Sequence, residues 1–220
     1  METQQLVQRM LETIIKINTG IYPFSLLIPI SLGILFIIAL IINLNNPNYR
    51  KTIFLKSIIV LCYSYAGIPL LLTTEIMGIQ AIIGGLILLF LGLLFLISIF
   101  DKSKIYKLDN RLYIRIIGFV LMFVGIFLYP VIEYLTGHIW PEIAVFGMEC
   151  PTTITVIGLL ISTIKTFPKY LILILSLNAI FTGTSVALLG ATFDWSYAIA
   201  GYLGFIILIM NWKRLKTSNL

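Results

Sequence analysis

Residues 79–100 read IQAIIGGLILLFLGLLFLISIF, twenty-two positions without one charged side chain. A helix of that length rises about 33 Å, enough to cross the roughly 30 Å hydrocarbon core of a bilayer. No soluble helix needs an uncharged surface all the way round, so this stretch places the chain in a membrane.

Working outward, six further apolar segments flank it, at about 21–44, 53–72, 116–134, 152–164, 170–189 and 195–212. The expected fold is an all-α membrane protein, a bundle of about seven transmembrane helices over residues 21–212. The 152–164 segment is short and reaches spanning length only if 151–167 is counted. Ahead of the bundle, residues 1–20 form an amphipathic helix, with Leu6, Met10, Leu11, Ile14 and Ile15 on one face and Gln5, Arg9, Glu12 and Lys16 mostly on the other. Such a helix either lies in the membrane interface or packs on the bundle. Glu2 and Glu12, with no basic start and no small-residue cleavage site, argue against a cleaved signal peptide. Residues 213–220 are expected to be a basic tail.

The whole composition agrees. The 220 residues are 60% hydrophobic and 11% charged, against about 25% charged in a soluble domain. The net charge of +6 does not mark a nucleic-acid binder, because the basic residues sit in short clusters between apolar runs. With seven crossings, one side collects Arg50, Lys51, Lys56, Lys102, Lys104, Lys107, Arg111, Arg115, Lys165, Lys169, Lys213, Arg214 and Lys216. The other keeps only Arg9 and Lys16, together with Glu2, Glu12, Glu75, Glu133, Glu142, Glu149 and Asp194. The positive-inside rule then puts the C-terminus in the cytoplasm and the N-terminus outside, across the cell (inner) membrane. Were the 152–164 segment not to cross, the tail lysines would change sides.

Close helix contacts are expected at Ala81 with Gly85 and Ala200 with Gly204, and a kink at Pro130. Lys56 reads as a side chain snorkelling to the basic face.

Candidate chemistry concentrates in the loop after the fourth segment, GHIWPEIAVFGMECPTT over residues 137–153. It holds the chain's only histidine, His138, with Trp140, Glu142, Glu149 and Cys150. Pro151, Thr152 and Thr153 suit a first helical turn. Cys150 then stands at a helix N-terminus, where the dipole stabilises an anion and activates a thiol; a buried structural cysteine is the plainer alternative. His138, Glu142 and Cys150 are the candidate metal ligands, with Glu133 one turn earlier. Asn178, Thr182 and Ser185 form a polar stripe on the sixth segment. Glu133 and Asp194 are ionisable groups near helix ends. The candidate substrate-binding set is thus Glu133, His138, Trp140, Glu142, Glu149, Cys150, Thr152, Thr153, Asn178, Thr182 and Asp194. Cys62 and Tyr63 lie mid-membrane without a motif. No cofactor is indicated, and retinal is not expected, since the last segment lacks a buried lysine.

Phe146-Gly147, Cys150-Pro151-Thr152-Thr153 and Gly158-Leu159-Leu160, with residues 18–23, Tyr129-Pro130, Gly137-His138 and Pro141, resemble the signature of an uncharacterised bacterial integral-membrane family, domain-of-unknown-function family 6064. In that pattern a proline precedes the cysteine, and here Glu149 stands in its place. The resemblance implies a small multi-helix membrane protein and brings no activity with it. Three functions fit the residues: transport of a small solute or cation beneath an acidic vestibule, membrane assembly with a protein partner, and thiol-dependent catalysis by Cys150 with His138 as base.

Overall fold

The computed structural model describes residues 2–20, 22–166 and 168–212; the expected basic tail, with Lys213, Arg214 and Lys216, lies outside them. The chain is an all-α bundle. The amphipathic helix α1 (Glu2–Thr19) is followed by α2 (Phe24–Asn45), α3 (Tyr49–Leu71), the single turn α4 (Thr74–Met77) and α5 (Ile79–Ile99). The fourth crossing is built in three pieces: α6 (Leu112–Phe123), a π-helical turn (Val124–Leu128) and α7 (Tyr129–Leu135). Then come α8 (Glu149–Ser162), α9 (Lys169–Leu188) and, after a 3-10 turn (Thr192–Asp194), α10 (Trp195–Asn211).

Among the described residues, six helical runs are long and apolar enough to cross a membrane, and their outer faces carry exposed side chains such as Ile34, Ile41, Phe90, Phe127 and Ile206. Large apolar residues facing outward in such numbers mark a lipid-facing surface.

Two expectations need correction. The segment read at 152–164 is not a helix of spanning length. Its helix, α8, has 14 residues and rises only about 21 Å. The rest of that crossing is loop 136–148, so the chain still passes from one end of the bundle to the other. Every α8 residue from Pro151 to Ser162 is buried, including Thr152, Thr153, Thr155 and Ser162. A helix with no lipid face tolerates hydroxyls that a peripheral helix would not. At Pro130 the fourth crossing departs from regular α-helical geometry. The wider π turn lies just ahead of the proline, which can neither donate a hydrogen bond nor fit against the preceding turn of an α-helix.

Two helix groups, α2–α3–α5 and α6 to α10, meet along a seam where α3 touches α8 and α9 makes only marginal contact with α5. Within each group, glycines let backbones approach. A Cβ on Gly85 would sit 3.0 Å from the carbonyl oxygen of Gly67, and one on Gly201 2.8 Å from that of Ser176. A closer backbone pairing was not foreseen: a Cβ on Gly158 would lie 2.5 Å from the Gly118 carbonyl oxygen, and the reverse holds equally. Helices α6 and α8 are therefore pressed backbone to backbone.

The loops sort into two ends. The basic end holds the N-terminus of α3, residues 100–111, Lys165 and Lys169. Lys56 does not snorkel there: it is 1% exposed, donates to the Ser98 carbonyl at 2.6 Å and lies over the Tyr106 ring. It thereby satisfies a carbonyl at the C-terminus of α5. The acidic end holds α1, α4, loop 136–148 and residues 189–194.

Candidate functional site

Irregular backbone can lie at membrane depth only where protein supplies its hydrogen bonds, and loop 136–148 is held that way. Asn18, fully buried on α1, donates from Nδ2 to the carbonyls of Pro141 (2.7 Å) and Ile143 (2.9 Å). Glu133 accepts the Ala144 N–H on Oε2 at 2.6 Å, and its backbone carbonyl accepts the N–H of His138. The Gly147 N–H donates to Thr152 Oγ1 at 2.9 Å. Phe146 packs on Phe36 at 5.4 Å between ring centroids and on Gly33, in the middle of α2. Gly147, at φ +103°, brings the backbone against the Tyr65 ring, a conformation that favours glycine.

The loop delivers α8 to the bundle with its first turn at about half depth. Gly125, midway along the fourth crossing, faces Pro151 and Thr155. Asn178, midway along α9, reaches Glu149. A helix that begins inside the bundle presents free N–H groups and the positive end of its dipole to the interior. Polar and acidic groups gather there. Glu149 Oε1 accepts from Asn178 Nδ2 (3.1 Å) and from the Tyr197 hydroxyl (3.2 Å), and Asn178 also donates to Tyr197 (2.8 Å). Thr153 pairs with the Tyr63 hydroxyl at 3.2 Å. Tyr129 donates to Asp194 Oδ1 at 2.5 Å, and the Cys150 thiol neighbours both.

Two cavities meet this turn. The larger, about 320 Å³, lies in the seam between α3, α5 and α9, is roofed by the apolar face of α1 and reaches Met148, Glu149 and Cys150 at its floor. The smaller, about 60 Å³, is bounded by Tyr129, Glu133, Cys150 and Asp194 beneath Met10 and Ile14. Glu133 is 1% exposed and its Oε1 has no hydrogen-bond partner. At the acidic end, Lys16 forms an ion pair with Glu75 that joins α1 to α4.

Of the candidate residues, Glu133, Glu149, Cys150 and Asp194 thus come together at or beside the start of α8. Thr153 and Asn178 bond within this cluster, Thr152 caps the loop, and Thr182 lines the larger cavity. Ser185, read in the same stripe, is exposed. His138 and Glu142 pair with each other at 3.4 Å, His138 stacking edge-on against Phe193, while Trp140 is 37% exposed on the loop surface. Cys150 does not join that pair, and among the described residues no three His, Cys, Asp or Glu side chains converge to hold a metal. His138 is engaged with Glu142 and Phe193, and no hydrogen bond joins it to Cys150 among the described residues, so the expected base is not paired with the thiol.

Sequence reasoning passed over Asn18, Tyr129 and Tyr197 as functional groups. The available signal was a hydrogen-bonding side chain inside an apolar run, which membrane burial makes costly without a partner.

The helices define a multi-pass membrane protein whose fifth crossing is a loop joined to a short buried helix. The chain belongs to the family of unknown function DUF6064, whose pattern matches residues 7–219. A search of curated proteins and a search of solved structures each give no match.

Proposed function

We propose that this protein is a small-solute carrier of the cell membrane, with its N-terminus outside, its basic end and tail in the cytoplasm, and α1 lying at the outer interface as a lid. The carrying observation is the cavity of about 320 Å³ that lies under α1 and ends on the start of α8. That volume is at the lower end of small-molecule sites. Crossings broken at mid-depth, with a half-helix terminus aimed at the solute, recur in secondary transporters. The Tyr63–Thr153 and Glu149–Asn178–Tyr197 bonds close the path towards the basic end, which leaves the cavity facing the acidic end. The placement of 13 basic residues on one side supports the orientation.

The test is reconstitution in liposomes with a flux screen, paired with ligand-induced thermal stabilisation of the purified protein. Ala66, in the cavity wall, supplies the control. Ala66→Phe should fold, fill the cavity and abolish both signals. Absence of flux and of stabilisation across amines, alcohols, acids and metal ions overturns the proposal.

A further inference from the structure

Resting on that reading, we infer that the larger cavity takes an amphiphilic organic cation, an ammonium group on a compact apolar body, with Glu149 as its counter-charge. Three observations carry this. First, the walls are apolar almost throughout: Leu70, Leu88, Val186 and Leu189 face Met10 and Ile14 of the lid. An apolar ligand body gains by leaving water there, whereas a hydrophilic solute would lose its hydration without replacement.

Second, the floor carries the only carboxylate of the lining, Glu149, and no Lys, Arg or His among the described residues lines the cavity. Both protein hydrogen bonds to that carboxylate, from Asn178 and Tyr197, fall on Oε1. Oε2 has no hydrogen-bond partner among the described residues and is not sealed off. A fixed donor pair on one oxygen orients the other for a ligand's N–H donor, and a charge-assisted bond in a dry site discriminates strongly against a neutral analogue.

Third, the approaches are electrostatically matched. The cavity opens at the end where Glu12, Glu75, Glu133, Glu142 and Asp194 outnumber Arg9 and Lys16, the latter already paired with Glu75, whereas the other basic residues lie at the opposite end, so the net local field favours a cation. The opposing influence is the positive terminus of α8, which alone would recruit an anion. Glu149, as the first residue of that helix, supplies the negative charge that this terminus attracts.

Isothermal titration of the full chain in lipid nanodiscs, with empty discs subtracted, decides the matter using hexylammonium, hexanol and hexanoate. Hexylammonium is expected to bind about tenfold or more tighter than hexanol, with hexanoate weakest, and Glu149→Gln should bring the amine-to-alcohol ratio near one. If Glu149→Gln is not recovered folded, the ratio in the unaltered protein decides alone. Equal binding of amine and alcohol in the unaltered protein overturns the cation assignment and leaves the carrier reading standing. Tightest binding by hexanoate overturns it in favour of the helix terminus. No binding by any of the three, with Ala66→Phe indistinguishable from the unaltered protein, removes the cavity as a site and the carrier reading with it.

Discussion

Each end of the bundle buries carboxylates, and the two ends treat them differently. At the basic end Asp109 is 1% exposed. It accepts from the Arg111 backbone N–H (2.9 Å), from Arg111 Nε (2.9 Å) and from Arg111 Nη2 (3.0 Å), with Lys165 at 3.9 Å. Arg111 continues to Asn211 on α10 at 2.7 Å, and the Asp109 N–H donates to the Ser162 carbonyl at the end of α8 at 2.8 Å. Burial pushes the Asp109 pKa up, but the Arg111 hydrogen bonds and charge, aided by Lys165, outweigh it and hold the carboxyl below its ordinary range. This is a clasp, with each charge answered by the protein's own. At the acidic end Glu133 and Glu149 meet only neutral donors, and Glu133 Oε1 meets none. The contrast teaches that carboxylate burial alone does not distinguish a structural group from a functional one; the sign and ownership of the neighbours do.

The comparison can be broken first at the helix that joins the two ends. Gly158→Leu drives a side chain into the Gly118 backbone, where only the α6 main chain could give way. A loss of about 3 kcal/mol or more is expected, read as failure to recover monodisperse protein. A folded, unaltered variant would show that α6 and α8 are not in fact fixed together.

Next comes the clasp itself. Asp109→Asn removes the charge facing Arg111 and should cost about 2–3 kcal/mol, less than a fully buried pair because both cations are partly exposed. Since the folded carboxyl titrates below its ordinary range, its stabilisation is complete above that range and is lost as pH falls through the lowered value. Melting temperatures of the unaltered protein and Asp109→Asn should therefore differ at neutral pH and converge under strong acidification. Parallel curves would mean that the charge of Asp109 does not stabilise the fold.

The smallest effect is expected from the same chemical change at the other end. In Glu133→Gln the amide oxygen keeps the Ala144 N–H bond, and no cation among its recorded contacts is left behind. The change in stability should lie within about 1 kcal/mol of zero. A cost equal to that of Asp109→Asn would erase the distinction between the ends.

Much of this arrangement was legible in the sequence. Uncharged runs such as 79–100 declare membrane helices by length, and the separation of lysine and arginine from glutamate assigns the loops to two ends. Residues 137–153 stand out as the focus, and Glu149 and Cys150 at their end do meet Asn178 and the cavity, whereas His138, Trp140 and Glu142 do not join them. What could not be read was depth. Nothing local in residues 136–148 reveals that they fold down between α2 and α3, because the partners that permit it, Asn18 and Phe36, lie more than a hundred residues away. The close approach at Gly118 and Gly158 was missed for a related reason: the motif runs between helices, whereas the eye searches within one. Lys56 was misjudged because its acceptor, the Ser98 carbonyl, is backbone and leaves no trace in side-chain composition.

The shortness of α8 bears finally on how the molecule is made. Fourteen residues carrying three threonines and a serine have no stable station of their own in lipid, so a nascent chain cannot lodge them there alone. Their seat is formed by α3, α6, α9 and α10, the last two of which emerge from the ribosome only afterwards. Biogenesis must therefore run in two acts, insertion of the long apolar helices and then the docking of this one among them.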